Sequence, residues 1–316
     1  MTFHTSPGEA APVLAVIGPT AVGKTELSIS LALAMEGEII SADSRQLYRG
    51  MEIGTAKATR EQRALVPHRL LDIVDPDQVL SAAEYQALAY AAIDETLARG
   101  RLPLLVGGTG QYVRAVLEGW SMPGVPPQPR LRTELEAEAG RLGAAALHAR
   151  LATLDAAAAA RIDYRNVRRV IRALEVCTIT GEPISRLQSK KAPPYRILRL
   201  GIDRPRAELY ARIDERVDAM MAAGLVDEVA RLVAAGYGWD LPAMSGLGYK
   251  QIGGYLRGES SLAAATDLIK RQTRRFVHQQ HTWFRPDDPD ICWVDPGRVS
   301  LEEILRPARR WLESER

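Results

Sequence analysis

The sequence predicts an α/β protein: a parallel sheet flanked by helices, with a second, helical module inserted into it. Three observations carry this. Gly18-Pro19-Thr20-Ala21-Val22-Gly23-Lys24-Thr25 fits G-x-x-x-x-G-K-[ST] at every fixed position. Apolar runs of strand length alternate with helical periodicity from residue 13 to about residue 120, and again from 197. Between these parts lies an Ala-, Leu- and Arg-rich stretch that opens on crowded prolines and has little strand character.

Taken in order, residues 1–12 read as a flexible leader. Val13-Leu14-Ala15-Val16-Ile17 is the apolar run of a buried parallel strand, and Leu27, Leu31 and Ala34 recur at helical spacing after the loop. Strand, loop and helix are the context in which this motif binds a polyphosphate. Its glycines let backbone N–H groups converge on phosphate oxygens at a helix N-terminus. Lys24 adds a mobile positive charge, and the Thr25 hydroxyl is placed to ligate Mg²⁺. The expected sheet is therefore P-loop NTPase-like. Glu38–Ser41 reads as a short strand, Ala82–Ala98 as a helix, and Leu102–Val106 as a strand ending in Gly107-Gly108-Thr109-Gly110. Such alternation implies a parallel sheet with helices on both faces. Ligands then gather at the carboxyl ends of the strands, where the phosphate loop, Asp43 and the Gly107–Gly110 turn fall.

Pro123, Pro126, Pro127 and Pro129 fall within seven residues, which a helix interior or a central strand could not hold. The insertion is placed at 123–196, ending near Pro193-Pro194, with Ile197–Ile202 a strand rejoining the sheet. Helical pattern resumes from Arg206 to Ala235 and from Leu262 to Trp283, so the core comprises 13–122 and 197–316.

With 46% hydrophobic and 25% charged residues, the 316-residue chain reads as an ordinary globular protein. Two cysteines are too few for a disulfide framework and suggest a reducing, cytoplasmic setting. Neither a signal-like N-terminus nor an 18-residue apolar run is present, which argues against secretion and a membrane. The histidines and cysteines lack zinc-site spacing. The net charge of +2 conceals an asymmetry: Arg130 to Leu200 carries fourteen basic against seven acidic residues, leaving −5 for the remainder. A basic module within an acidic body suggests a polyanionic macromolecule docking at one region.

Asp43-Ser44-Arg45-Gln46-Leu47-Tyr48 follows a strand. A carboxylate there could hold Mg²⁺ through water or accept a proton; the alternative is a helix N-cap. A Walker-B-like acid is missing, since Leu102–Val106 ends in glycine and threonine and Leu70–Asp75 runs straight into Pro76. Arg161, Arg165, Arg168, Arg169 and Arg172 crowd one stretch, and on a helix the last four share a face opposite Val167, Val170, Ile171 and Leu174. A solvated charged face is the bland reading. Only Asp163 is acidic between 161 and 172, which favours polyanion binding. Lys270 with Arg274, and Arg271 with Arg275, are like-charge i,i+4 pairs that call for an anionic ligand or acidic partners. Arg212 and Arg216 form another such pair, for which ordinary surface pairing with Asp214, Glu215 and Asp218 suffices.

The phosphate loop, then Ser41-Ala42-Asp43-Ser44-Arg45-Gln46-Leu47-Tyr48-Arg49-Gly50-Met51-Glu52-Ile53-Gly54-Thr55-Ala56-Lys57, resembles the bacterial tRNA dimethylallyltransferases. His68–Ile73, Val106–Gly110 with Tyr112, Arg168–Val176, Gly248-Tyr249-Lys250 and Thr282-Trp283-Phe284-Arg285 extend the resemblance, in order, over nearly the whole chain. The loop is generic; the Asp43–Lys57 block is specific.

The resemblance implies transfer of a dimethylallyl group from dimethylallyl diphosphate to the exocyclic amine of the adenosine 3′ of the anticodon in the tRNA stem-loop. It implies Asp43 as general base, with Lys24, Thr25, the loop Gly18–Thr25 and Mg²⁺ stabilising the diphosphate, and Arg216 nearby. It implies tRNA contacts at Asp43, Ser44, Arg45, Gln46, Thr109, Arg132, Arg168, Arg169, Val170, Ile171 and Arg172, the insertion being the tRNA-binding domain of a monomer. Two departures stand out. His278-Gln279-Gln280 replaces the family's Lys-Arg-Gln, leaving the charge to Arg274 or Arg275, and Asp163-Tyr164-Arg165-Asn166 replaces its Pro-Asn-Asp before the arginine helix. From the loop alone, an ATP-dependent small-molecule or nucleoside kinase is the alternative.

Overall fold

The computed structural model describes residues 10–314. Of the leader expected over 1–12, positions 1–9 lie outside the described residues, and Ala11 and Pro12 belong to the first strand. In chain order the elements begin with β1 (Ala11–Ile17), α1 (Lys24–Ala34), β2 (Gly37–Ser41), α2 (Arg60–Leu65) and β3 (His68–Arg69). Next come α3 (Ala82–Ala98), β4 (Leu102–Gly107) and α4 (Gly110–Leu117). The inserted stretch holds β5 (Trp120–Ser121), α5 (Pro129–Leu142), α6 (Ala144–Leu154), α7 (Ala156–Arg161), α8 (Val167–Thr180), α9 (Ile184–Leu187) and β6 (Ser189–Lys190). The chain returns through β7 (Tyr195–Ile202), α10 (Arg206–Ala222), α11 (Leu225–Ala234), a 3₁₀ turn (Ala243–Ser245) and α12 (Tyr249–Leu256). It closes with α13 (Leu262–His281), β8 (Ile291–Val294) and α14 (Leu301–Glu313).

Among the described residues, six strands form a sheet in the order β3-β2-β4-β1-β7-β8, and every neighbouring pair is parallel. The central strand β1 explains why its run reads as continuously apolar. Leu14 and Val16 point into one core, and Val13, Ala15 and Ile17 into the core on the other face. Helices cover both faces, so the period-2 alternation has no polar side to reveal it. Leu27 and Leu31 of α1 join the first core, and Tyr85, Ala89 and Ile93 of α3 the second. A third core gathers α10 to α13 around Met51, Val229, Tyr249 and Ile269.

The described residues divide into two compact units, 10–117 with 194–314, and Glu118–Pro193. The second therefore begins five residues before the first proline of the break and ends at Pro193, where the sequence placed it at 123–196. It is helical apart from the short β5–β6 ribbon, and Leu135, Leu147, Leu151, Val170, Ile171 and Leu174 fill its own core. None of the described helices is long and apolar enough to cross a membrane.

Candidate active site

The phosphate loop leaves β1 and enters α1 through Gly23, whose φ of 100° is a left-handed value that a side chain would strain. Its carbonyls are held by cationic side chains, one of them the loop's own. Lys24 Nζ donates to Gly18 O at 3.0 Å and Pro19 O at 2.7 Å. Arg212 Nε donates to Ala21 O and Arg204 Nε to Val22 O, each at 2.9 Å. Four carbonyls of the loop are thus claimed by cations. Burial pushes Lys24 down to about 8; Asp43 pulls it back up and Arg216 adds to the depression. Burial likewise lowers Arg216, against the pull of Glu26 and with the push of Arg212. Arg212 and Arg216 are therefore not an ordinary surface pair. Arg212 staples the loop, and Arg216 lines a cavity beside it.

Asp43 sits just beyond β2, and Thr109 just beyond β4. The two strand ends are laced together: Ala42 N–H donates to Val106 O at 2.7 Å, Thr109 N–H to Ala42 O at 3.2 Å, and Ser44 N–H to Thr109 Oγ1 at 2.9 Å. Behind them, Tyr85 stacks on Tyr112 with centroids 3.9 Å apart, and its hydroxyl donates to Ser41 O at 2.9 Å. Asp43 Oδ1 accepts the Arg45 N–H at 2.8 Å, an Asx turn that aims the carboxylate. Gln46 turns inward, accepting from Ser41 Oγ and donating to the carbonyls of Thr55 and Ala56. Arg45 Nη1 is anchored on Pro242 O at 2.7 Å.

The cavity encloses about 310 Å³. Thr20, Asp43, Ser44, Arg45 and Thr109 contribute its polar lining. One face of α10 adds Ile213, Arg216, Val217 and Met220, and one face of α13 adds Ile269, Thr273, Phe276 and Gln280. An acid, a cationic phosphate loop and an apolar wall thus share one space. That suits a ligand with an anionic head and a short hydrocarbon part. Gln280, 5% exposed, accepts the Thr20 N–H and donates to Gly108 O, each at 2.9 Å. It bridges the phosphate loop to the β4 turn without needing the charge that His278-Gln279-Gln280 lacks. Arg274 does not supply that charge to a ligand, because it pairs with Asp214, while Lys270 pairs with Asp218. The acidic partners expected for these two cations lie on α10.

No cluster of three His, Cys, Asp or Glu fit to hold a metal occurs among the described residues. Mg²⁺ keeps several waters and takes phosphate oxygens with one or two protein ligands, so it does not require such a cluster. Thr25, expected to supply a hydroxyl to it, lies in the first turn of α1.

In the inserted unit the expected contacts divide. Asn166 caps α8 by accepting the Arg169 N–H, so the helix starts at Val167 and Arg165 lies outside it, paired with Asp163. Arg168 and Arg169 are exposed. Val170 and Ile171, at 0% and 4% exposure, are packed in the core, so their side chains hold α8 rather than face a ligand. Arg132 and Arg172 converge on Glu175, whose side chain is fully buried, at 2.8 and 2.5 Å. Burial pushes Glu175 up, but Arg132, the Gln128 N–H and Arg172 outweigh it and hold the carboxyl at about 2. These two arginines thus neutralise an internal acid, which the reading of a four-arginine face missed.

A parallel sheet with a cation-stapled phosphate loop, and an acid facing an amphipathic cavity, defines a P-loop-type α/β transferase. The profile of the IPP transferase family matches residues 46–287, and the chain belongs to that family. The tRNA dimethylallyltransferase of Roseiflexus sp. is 58% identical over 304 residues, 96% of this chain and 99% of that protein. That of Chloroflexus aggregans is 56% identical over 287 residues, 88% of this chain and 97% of that one. Among solved structures, the full-length tRNA isopentenylpyrophosphate transferase of Bacillus halodurans is 42% identical with a TM-score of 0.71, covering 97% of this chain and 98% of that one. A eukaryotic dimethylallyltransferase acting on tRNA, 22% identical, shares the fold with a TM-score of 0.81, over 97% of this chain and 81% of that one.

Proposed function

We propose that this enzyme transfers a dimethylallyl group from dimethylallyl diphosphate to N6 of the adenosine 3′-adjacent to the anticodon of tRNA, releasing diphosphate. The observation that carries the reading is the shared cavity, where Asp43, Arg216 and the phosphate loop meet apolar side chains of α10 and α13. The adenine nitrogen attacks the prenyl C1, the C1–O bond breaks toward diphosphate, and the amine proton passes to Asp43. Loop amides, Lys24 and Arg216 bear the charge that develops on the leaving oxygen. Mg²⁺ held by Thr25 and the diphosphate would add further neutralisation of that charge. An exocyclic amine is a weak nucleophile, so alignment by Ser44, Thr109 and Gln46 matters alongside proton removal. Exposed Arg168 and Arg169 suit phosphates of the RNA, whose target base must leave its stack.

The test incubates the protein with Mg²⁺, dimethylallyl diphosphate and unmodified tRNA, then digests the RNA and reads nucleoside masses. Prenylated adenosine beside the anticodon is expected. ADP formation from ATP with no RNA requirement would overturn the reading.

A further inference from the structure

Glu228 is charged, lies on α11 and does not itself line the cavity, yet it is only 2% exposed. It occupies the apolar stripe of that helix with Leu225, Val229 and Leu232. Its two oxygens accept four hydrogen bonds. Oε2 takes the N–H groups of Glu52 and Ile53 at 2.9 and 2.8 Å. Oε1 takes the Gly54 N–H at 3.1 Å and the Tyr249 hydroxyl at 2.6 Å. Three successive amides and a phenol on one carboxylate form a nest filled by an internal anion. The close approach is what demands glycine at 54, where a Cβ would lie 2.5 Å from the Tyr249 ring.

The secured segment is part of the cavity wall: Gly54, Thr55, Ala56 and Tyr249 all line it. It is also tied to the end of the strand that precedes the acid. The Thr55 and Ala56 carbonyls accept from Gln46 Nε2 at 3.2 and 3.3 Å, and Gln46 Oε1 accepts from Ser41 Oγ at 3.2 Å, two residues before Asp43. None of these bonds involves the phosphate loop. We infer that Glu228, with Tyr249 as its partner, is a positioning residue that sets the Gly54–Ala56 wall and, through Gln46, the aim of Asp43 at the acceptor amine. This rests on the transfer reading above. It gives the Glu52–Lys57 part of the motif a task that phosphate binding leaves unassigned.

The test compares wild type with Glu228→Gln and Tyr249→Phe. Glu228→Gln keeps size and one acceptor, and Tyr249→Phe keeps the ring against Gly54. Each is assayed with saturating Mg²⁺, dimethylallyl diphosphate and unmodified tRNA, at a temperature where its melting curve shows it folded. Binding of inorganic diphosphate with Mg²⁺ is measured in parallel. The expected result is a kcat lowered about tenfold or more for Glu228→Gln and less for Tyr249→Phe, as for a reacting group moved out of line. Diphosphate affinity should stay within about twofold of wild type. Unchanged kcat in both variants, or kcat and diphosphate affinity falling together, would overturn the assignment. A wild-type protein that prenylates no tRNA would instead sink the transfer reading itself.

Discussion

Asp43 must be both held and unencumbered. Only Oδ1 is engaged by the Arg45 N–H, and the Ser44 N–H is drawn aside by Thr109, so the carboxylate is aimed without being consumed. Asp43→Asn keeps that backbone bond and removes the base. Transfer should fall by about 10²–10⁴-fold in kcat while tRNA affinity stays within about tenfold; single-turnover rates and filter binding measure the two. Lys24 offers a pH test. Its pKa of about 8 in the free enzyme means the loop loses its mobile cation as pH rises past 8. Bound diphosphate favours the protonated amine, so its affinity should begin to weaken above that pH. A calorimetric series should show this in wild type and not in Lys24→Met, which is weaker throughout by about 10–100-fold.

At the scale of elements, α8 separates residues that a sequence pattern lumps together. Arg168→Ala should lower tRNA affinity and reduce the salt slope by roughly one contact. Ile171→Ala should leave the slope alone and destabilise the inserted unit by about 2–5 kcal/mol, seen as a lower denaturant midpoint. Glu175 adds an acid limb. Its folded pKa, about 2, is below the unfolded carboxyl value, so its contribution is complete above about pH 5 and is lost as pH falls toward 2. Glu175→Gln should flatten that limb in an acid titration followed by circular dichroism. Helix α3 spans Ala82–Ala98 as the sequence predicts, and the structure shows a capping box of Ser81 and Glu84 at its start. By contrast β3 is two residues long, and β8 is a four-residue edge strand. So little sequence carries no period. Glu175 and Glu228 escaped notice because charge on a helix reads as surface. Each, however, interrupts an apolar stripe, and that was the available signal.

Across the molecule, the parallel sheet and the placement of Asp43 and Gly107–Gly110 at strand ends followed from alternation alone. The origin of Arg204, Arg212, Gln280 and Glu228 could not, because each acts on a segment between about 170 and 260 residues distant. The cavity belongs wholly to the unit that carries the sheet, and the exposed Arg168 and Arg169 to the other. Substitutions in the two units should therefore act on different ligands. Arg168→Ala should leave diphosphate affinity unchanged, Lys24→Met should leave the tRNA salt slope unchanged, and the double variant should show the sum of the two free energies within about 0.5 kcal/mol.

Lys24 resting on the Gly18 and Pro19 carbonyls has a consequence for turnover. Because two backbone oxygens lie within hydrogen-bond reach of the ammonium, departure of a diphosphate would not leave a bare charge. In the proposed reaction a departing diphosphate would pass the amine from one set of oxygens to another. On the proposed reading the enzyme could grip a multiply charged product and still let it go, since the loop's own oxygens solvate the ammonium from within.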